Sequence, residues 1–187
     1  MSTHNRYSHK HLADVATDYR LSTADLLICS ETRFSVNDST QDIALPGFQL
    51  PFRNDESSPT HQRPAHGMAV YVTPNKNFTT SSTQHNYKSV EVTLTTISHA
   101  LDQKVSNLNV VGIYSAPRTQ LNHLKRAIQG LIEKENLQNT PTVLLGDFNI
   151  DISHQSPQSR QLLTFLKQYN FSTTSSQVMQ QTISNYY

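Results

Sequence analysis

The strongest constraint on this chain is a set of short apolar runs, each stopped by a polar residue, with helical patterns between them. The clearest is TVLLGDFNID, residues 142–151. Val143, Leu144 and Leu145 follow Pro141 and read as a strand buried on both faces. Gly146 ends the run, and Asp147, Phe148 and Asn149 stand where the strand emerges. Residues two apart share a face of an extended chain, so a carboxylate and a carboxamide lie side by side there. The mouth of a sheet is where sites in α/β proteins usually sit. Gly, Asp and Asn are also ordinary turn residues, so these residues alone fit a plain strand end equally well.

The other runs give this one its context. Residues 26–29, LLIC, predict a buried, central strand with Glu31 just past its end. Residues 67–73, GMAVYVT, predict a strand closed by Pro74. Residues 87–98 alternate, with Val90, Val92 and Leu94 on one face, and predict a half-buried strand. Residues 108–114, LNVVGIY, predict its antiparallel neighbour, ending at Tyr114. Residues 35–66 and 74–86 read as polar loops, with the start of a short strand at Gly47 and Phe48.

Three helices are expected. Leu12, Val15, Ala16 and Tyr19 form one stripe over residues 9–20. Leu121, Leu124, Ile128, Leu131 and Ile132 form another over residues 119–137, with Thr119 as the cap. Ser156 and Pro157 open the third, whose stripe is Leu162, Leu163, Phe165, Leu166 and Tyr169.

A chain of 187 residues is expected to be a single domain, residues 1–187. Its net charge of +1 gives no overall field toward nucleic acid or a membrane, although a local patch would not show in that sum. No apolar run is long enough to span a bilayer, and the polar start MSTHNRYSHKH lacks the apolar segment of a secretory signal. The single cysteine, Cys29, allows no internal disulfide, which fits an intracellular protein. Its apolar neighbours mark it as a small buried hydrophobe. The nine histidines show no HExxH spacing.

Glu31, Tyr114, Asp147 and Asn149 all fall at or just past the ends of expected strands, so one sheet edge would gather them. Two carboxylates with amide and phenol donors suit a hard cation and an anionic oxygen substrate. Mg²⁺ takes few protein carboxylates and keeps waters and phosphate oxygens as its other ligands. Separately, Glu31 fits a solvated loop start and Tyr114 a core-edge residue with a wet hydroxyl.

The order SETRF, GMAVYV, VVGIYSAP, LLGDFNID resembles the endonuclease/exonuclease/phosphatase superfamily over roughly residues 10–185. It is most similar to the endonuclease domains of non-LTR retrotransposons and related mobile elements. The resemblance implies a four-layer αββα sandwich of two sheets flanked by helices, here incomplete. It implies a Mg²⁺ cofactor, with Mn²⁺ as a substitute, held by Glu31. It also implies that Asp147 and Asn149 activate water and contact phosphate, and that Tyr114 contacts the scissile phosphate. DNA is the implied substrate, with a reverse transcriptase in the same polyprotein and a nuclear location.

The departures are specific. Ser30 stands where many relatives have Gln. The family's first strand, which ends in a metal-side Asn, has no counterpart here, and Asn5 near its place is left without a role. The family's late Asp-His pair has no match, since His154 is not preceded by Asp and reads as a solvated loop residue. Three functions therefore stand open: a Mg²⁺-dependent DNA nickase, an inactive fragment or decayed copy with weak nucleic-acid binding, and the same chemistry on RNA or a phosphoinositide. Arg33, Arg63 and Arg118 are candidate phosphate contacts, weighed against ordinary surface arginines.

Overall fold

The computed structural model describes residues 6–35, 37–55, 66–74, 77–101, 104–152 and 156–173. Asn5, Arg63, His154 and the residues from 174 onward lie outside these. The chain divides into two units, Met1–Asn149 and Ile150–Tyr187.

The first unit opens with α1 (Arg6–Thr17) and a single extra turn, α2 (Tyr19–Ser22). Asp18 separates them, and its carboxylate accepts the Arg20 and Leu21 amides as an N-cap. The expected single helix over residues 9–20 is thus two. Tyr19 leaves the stripe and is exposed, because the cap at Asp18 restarts the helical phase.

Strands β1 (Leu26–Ser30), β2 (Phe52–Asn54) and β3 (Met68–Val72) form the first sheet in the order β1-β3-β2, all antiparallel. The central strand is therefore β3, which is buried throughout. Among the described residues β1 is at the edge and half-buried, contrary to the central place its apolar run predicts. The run is apolar because both its faces are covered, not because it has two neighbours. Leu27 and Cys29 face a cluster of Phe34, Ile43, Leu45, Ala69 and Tyr71, onto which Leu12, Val15 and Ala16 of α1 pack. Ile28 points the other way, to Met68 and Tyr114.

The second sheet runs β4 (Phe78–Gln84), β5 (Val90–Leu101), β6 (Lys104–Ser115), β7 (Thr142–Asp147). The first two pairings are antiparallel, and β7 joins β6 in parallel. α3 (Leu121–Lys134) supplies the crossover between β6 and β7. It packs on β5 and buries Leu124, Ala127, Ile128, Leu131 and Ile132. Its N-cap is Gln120 rather than Thr119, whose hydroxyl is turned back to the Ala116 carbonyl.

Two regions expected as loops are strands. β4, FTTSSTQ, is rich in Ser and Thr and carries no apolar run, but β5 gives it a full register from Phe78↔His99 to Gln84↔Thr93. β2 lies in the expected loop 35–66, while Gly47 and Phe48, the expected strand start, are in a turn. β5 is buried on both faces from Val90 to Thr95, not half-buried. Its polar positions Glu91, Thr93 and Thr95 are interior, and Thr93 and Ile28 of the other sheet both close over Gly112. β7, in turn, is half-exposed, with Val143 39% accessible, because among the described residues it has a neighbour on one side only.

The first unit is therefore four layers: α1, the β1-β3-β2 sheet, the β4–β7 sheet, and α3. Asn54 and Asn86 tie its two sheets by exchanging two 2.8 Å amide hydrogen bonds. In the second unit, α4 (Pro157–Gln168) begins as expected, with Ser156 capping Ser159 and Pro157 at the first turn. No described helix is long and apolar enough to cross a membrane.

Candidate functional site

Three strand ends build the site. β6 and β7 are parallel, so their C-terminal ends lie at the same edge, and Tyr114 sits in register with Asp147. β1 in the facing sheet ends at the same place. The Tyr114 hydroxyl donates to Glu31 Oε1 across the sandwich at 2.6 Å. Asn149 completes the group. Its backbone N–H donates to Asp147 Oδ1 at 2.9 Å, and its Nδ2 donates to the Ser115 carbonyl at 2.6 Å.

Local backbone geometry aims these side chains. Gly146 has φ +136°, and a Cβ there would fall on the carbonyl oxygen of Ile113 on β6. Only glycine lets β7 stay paired to its end while turning Asp147 outward. Glu31 (φ 52°), Arg33 (φ 53°), Arg118 (φ 66°) and Asn149 (φ 49°) all take the left-handed conformation just past strands of this edge. Asn tolerates it; Glu and Arg do so at a cost, which neighbouring bonds must offset. For the turn after β1, those bonds are Thr32 N–H to Gly67 O (3.1 Å) and Arg33 N–H to His66 O (2.9 Å).

The electrostatics is that of an acidic edge around a buried phenol. Tyr114 is fully buried, and its hydroxyl is held well above the ordinary phenol range. Burial is the main cause. The hydrogen bond to Glu31 follows, and then the negative field of Glu31, Asp147 and Glu91. Tyr114 therefore stays a proton donor throughout the neutral range.

Glu31 accepts the phenol on one oxygen, and among the described residues its second oxygen takes no hydrogen bond. Among the described residues no group of three or more His, Cys, Asp or Glu side chains is assembled to hold an ion. Mg²⁺ needs only one or two protein carboxylates, and an oriented glutamate with a second carboxylate on the same edge fits that requirement. Cys29 stays apart: burial in the α1-facing cluster pushes its thiol up to about 11.

Three residues of this edge carry no signal in the sequence. The His66 ring lies 5.3 Å from that of Tyr114, tilted by 43°. Glu91, on β5 opposite Tyr114, is buried and accepts the Gly67 N–H at 3.0 Å. A cavity of about 530 Å³ opens beside them, with Asp55, Gln84 and Lys88 also in its wall. Glu91 is concealed in the alternation of β5, where it looks like an outward polar residue. His66 looks like ordinary loop and Gly67 like a plain strand start. Arg33 and Arg118 are exposed on the loops after β1 and β6.

No family model matches the chain, and no curated protein matches it. Solved structures do. The catalytic domain of human Nocturnin, with a bound sulfate anion, superposes with a TM-score of 0.57 at 15% identity, covering 84% of this chain and 61% of that one. TDP2 from D. rerio, complexed with a single-strand DNA product, gives 0.51 at 9% identity, covering 83% and 57%. An endonuclease/exonuclease/phosphatase family protein from Bacteroides thetaiotaomicron gives 0.54 at 12% identity, covering 84% and 60%. The chain thus spans about three-fifths of the length of each. At these identities the likeness is one of fold.

Proposed function

We propose that this chain, which has the endonuclease/exonuclease/phosphatase fold, is a divalent-metal-dependent phosphoesterase acting on the phosphodiester backbone of DNA. The observation that carries the reading is the meeting of Glu31, Tyr114, Asp147 and Asn149 at one sheet edge through the Tyr114–Glu31 and Asn149–Ser115 bonds. The single-strand DNA product held by the D. rerio protein of the same fold supports the choice of substrate. The order of the four motifs supports the mobile-element type, and with it a reverse transcriptase partner and a nuclear location.

Each residue has a task set by its surroundings. Glu31 would hold Mg²⁺ through the oxygen that Tyr114 does not engage. The ion, when bound, supplies charge to polarise the phosphoryl oxygen and steady the leaving group. Tyr114 is a fixed donor that keeps the Glu31 carboxylate turned toward the edge. Asp147 is exposed, with one oxygen tied to the Asn149 amide, so its other oxygen can take a proton from an attacking water. Asn149 gives one Nδ2 proton to Ser115 and keeps the second for a phosphate oxygen.

The test is nicking of supercoiled plasmid with Mg²⁺, with Asp147→Ala alongside. The expected result is nicking by the parent chain that EDTA abolishes and Asp147→Ala lacks. A cooperatively melting parent that leaves the plasmid intact, or a mutant as active as the parent, refutes the reading.

A further inference from the structure

Glu91 is a carboxylate buried between two sheets, 7% accessible, at a position whose counterparts along β5 are the uncharged Thr93 and Thr95. Burying a carboxylate is expensive unless strong partners repay it. Its Oε2 accepts the Gly67 N–H at 3.0 Å. Gly67 is bound in turn to the catalytic side: its carbonyl accepts the Thr32 N–H at 3.1 Å. Thr32 follows Glu31, whose carboxylate accepts the Tyr114 hydroxyl at 2.6 Å. Tyr114 is the register partner of Glu91 on the adjacent strand. The bonds therefore close a ring across the sandwich: Glu91, Gly67, Thr32, Glu31, Tyr114 and back to Glu91.

The ring has no slack at Gly67. Its φ is +114°, and a Cβ there would stand 2.8 Å from Thr32 Oγ1. That conformation turns its N–H into the sandwich toward Glu91 and its carbonyl to Thr32. Glu31 itself is held at φ 52°, which its own chemistry does not favour. We infer that Glu91 is a positioning residue, whose hydrogen bond to Gly67 fixes the turn that carries Glu31 and so aims the Glu31 carboxylate at Tyr114 and the open edge. The inference rests on Glu31 being the metal-side carboxylate of the proposed reaction, but its geometry can be read without turnover.

Two conservative variants separate reach from charge. Glu91→Gln keeps the acceptor at the same distance and removes the charge. Glu91→Asp keeps the charge and draws the acceptor back by one methylene. The readout is the Tyr114 ¹³Cζ resonance in tyrosine-labelled protein, with Glu31→Ala as the reference for a lost phenol–carboxylate bond. Glu91→Gln is expected to leave the resonance near its parent position. Glu91→Asp is expected to move it to the Glu31→Ala position, and to lower kcat on the order of tenfold to a hundredfold with KM little changed.

The reverse order, with Gln disruptive and Asp silent, would assign the effect to charge and overturn the inference. Both variants leaving Tyr114 in place would make Glu91 a packing residue only. The Gly67 amide of the parent chain must also exchange as slowly as the sheet amides, and rapid exchange overturns the inference without any variant. A parent chain that nicks no DNA counts against the phosphoesterase reading alone, since the tyrosine signal needs neither metal nor substrate.

Discussion

Single residues in this molecule matter where backbone and side chain are constrained together. At Gly146 any side chain meets the Ile113 carbonyl and must adopt φ +136°. Gly146→Ala is therefore expected to destabilise by on the order of 3 kcal/mol or more, read as a drop in urea midpoint at unchanged slope. Tyr114→Phe removes the donor to Glu31 and nothing else of that size. Its nicking rate should fall about a hundredfold to a thousandfold with a far smaller effect on the melting temperature. Cys29 is the opposite case, a residue with chemistry that its place suppresses. With its thiol raised to about 11 by burial, it should resist alkylation at pH 8 in the folded chain and react promptly in urea.

Secondary-structure elements here owe their identity to neighbours as much as to composition. β4 is a strand because β5 offers it a complete ladder; its Ser and Thr face water on one side and the Thr95 hydroxyl on the other, as in the 2.9 Å Ser82–Thr95 bond. β5 is buried on both faces from Val90 to Thr95, so its alternation there marks which layer each face meets. The amide pair of Asn54 and Asn86 joins the end of β2 to the turn before β5, and Asn86 Oδ1 also accepts the Val92 N–H at 3.2 Å. Asn54→Ala strands the Asn86 amide beside the buried end of β2, with an expected loss of about 1–3 kcal/mol in denaturant unfolding. α3 is held chiefly by its buried apolar face, and Leu131→Ala should cost about 2–5 kcal/mol by the same assay.

For the molecule as a whole, the titrating groups set a pH window. Cys29, Tyr71 and Tyr114 all hold their protons more tightly folded than unfolded, each chiefly through burial. Their contribution is complete below the ordinary values of 9.0 and 10.0 and is lost as pH climbs through the folded ones. His85 runs the other way. Burial, and then Lys134, lower it against the pull of Glu135, so its contribution is complete above 6.5 and is lost as pH falls. Melting temperature against pH should therefore bend down above pH 9 and below 6.5, and His85→Gln should flatten the acid limb. The sequence by itself determined the α/β class, the strands carrying Glu31, Tyr114 and Asp147, the stripes of α3 and α4 and the cap at Ser156, because apolar periodicity and capping are local properties. It also placed the four candidate residues at strand ends, since a buried strand must stop where polar groups begin. Only the tertiary structure decided that β1 and β7 flank their sheets among the described residues, that FTTSSTQ is a strand, and that Glu91 points inward to Gly67. Those facts depend on which backbone lies alongside, and a neighbour distant in sequence leaves no trace in the residues it pairs with.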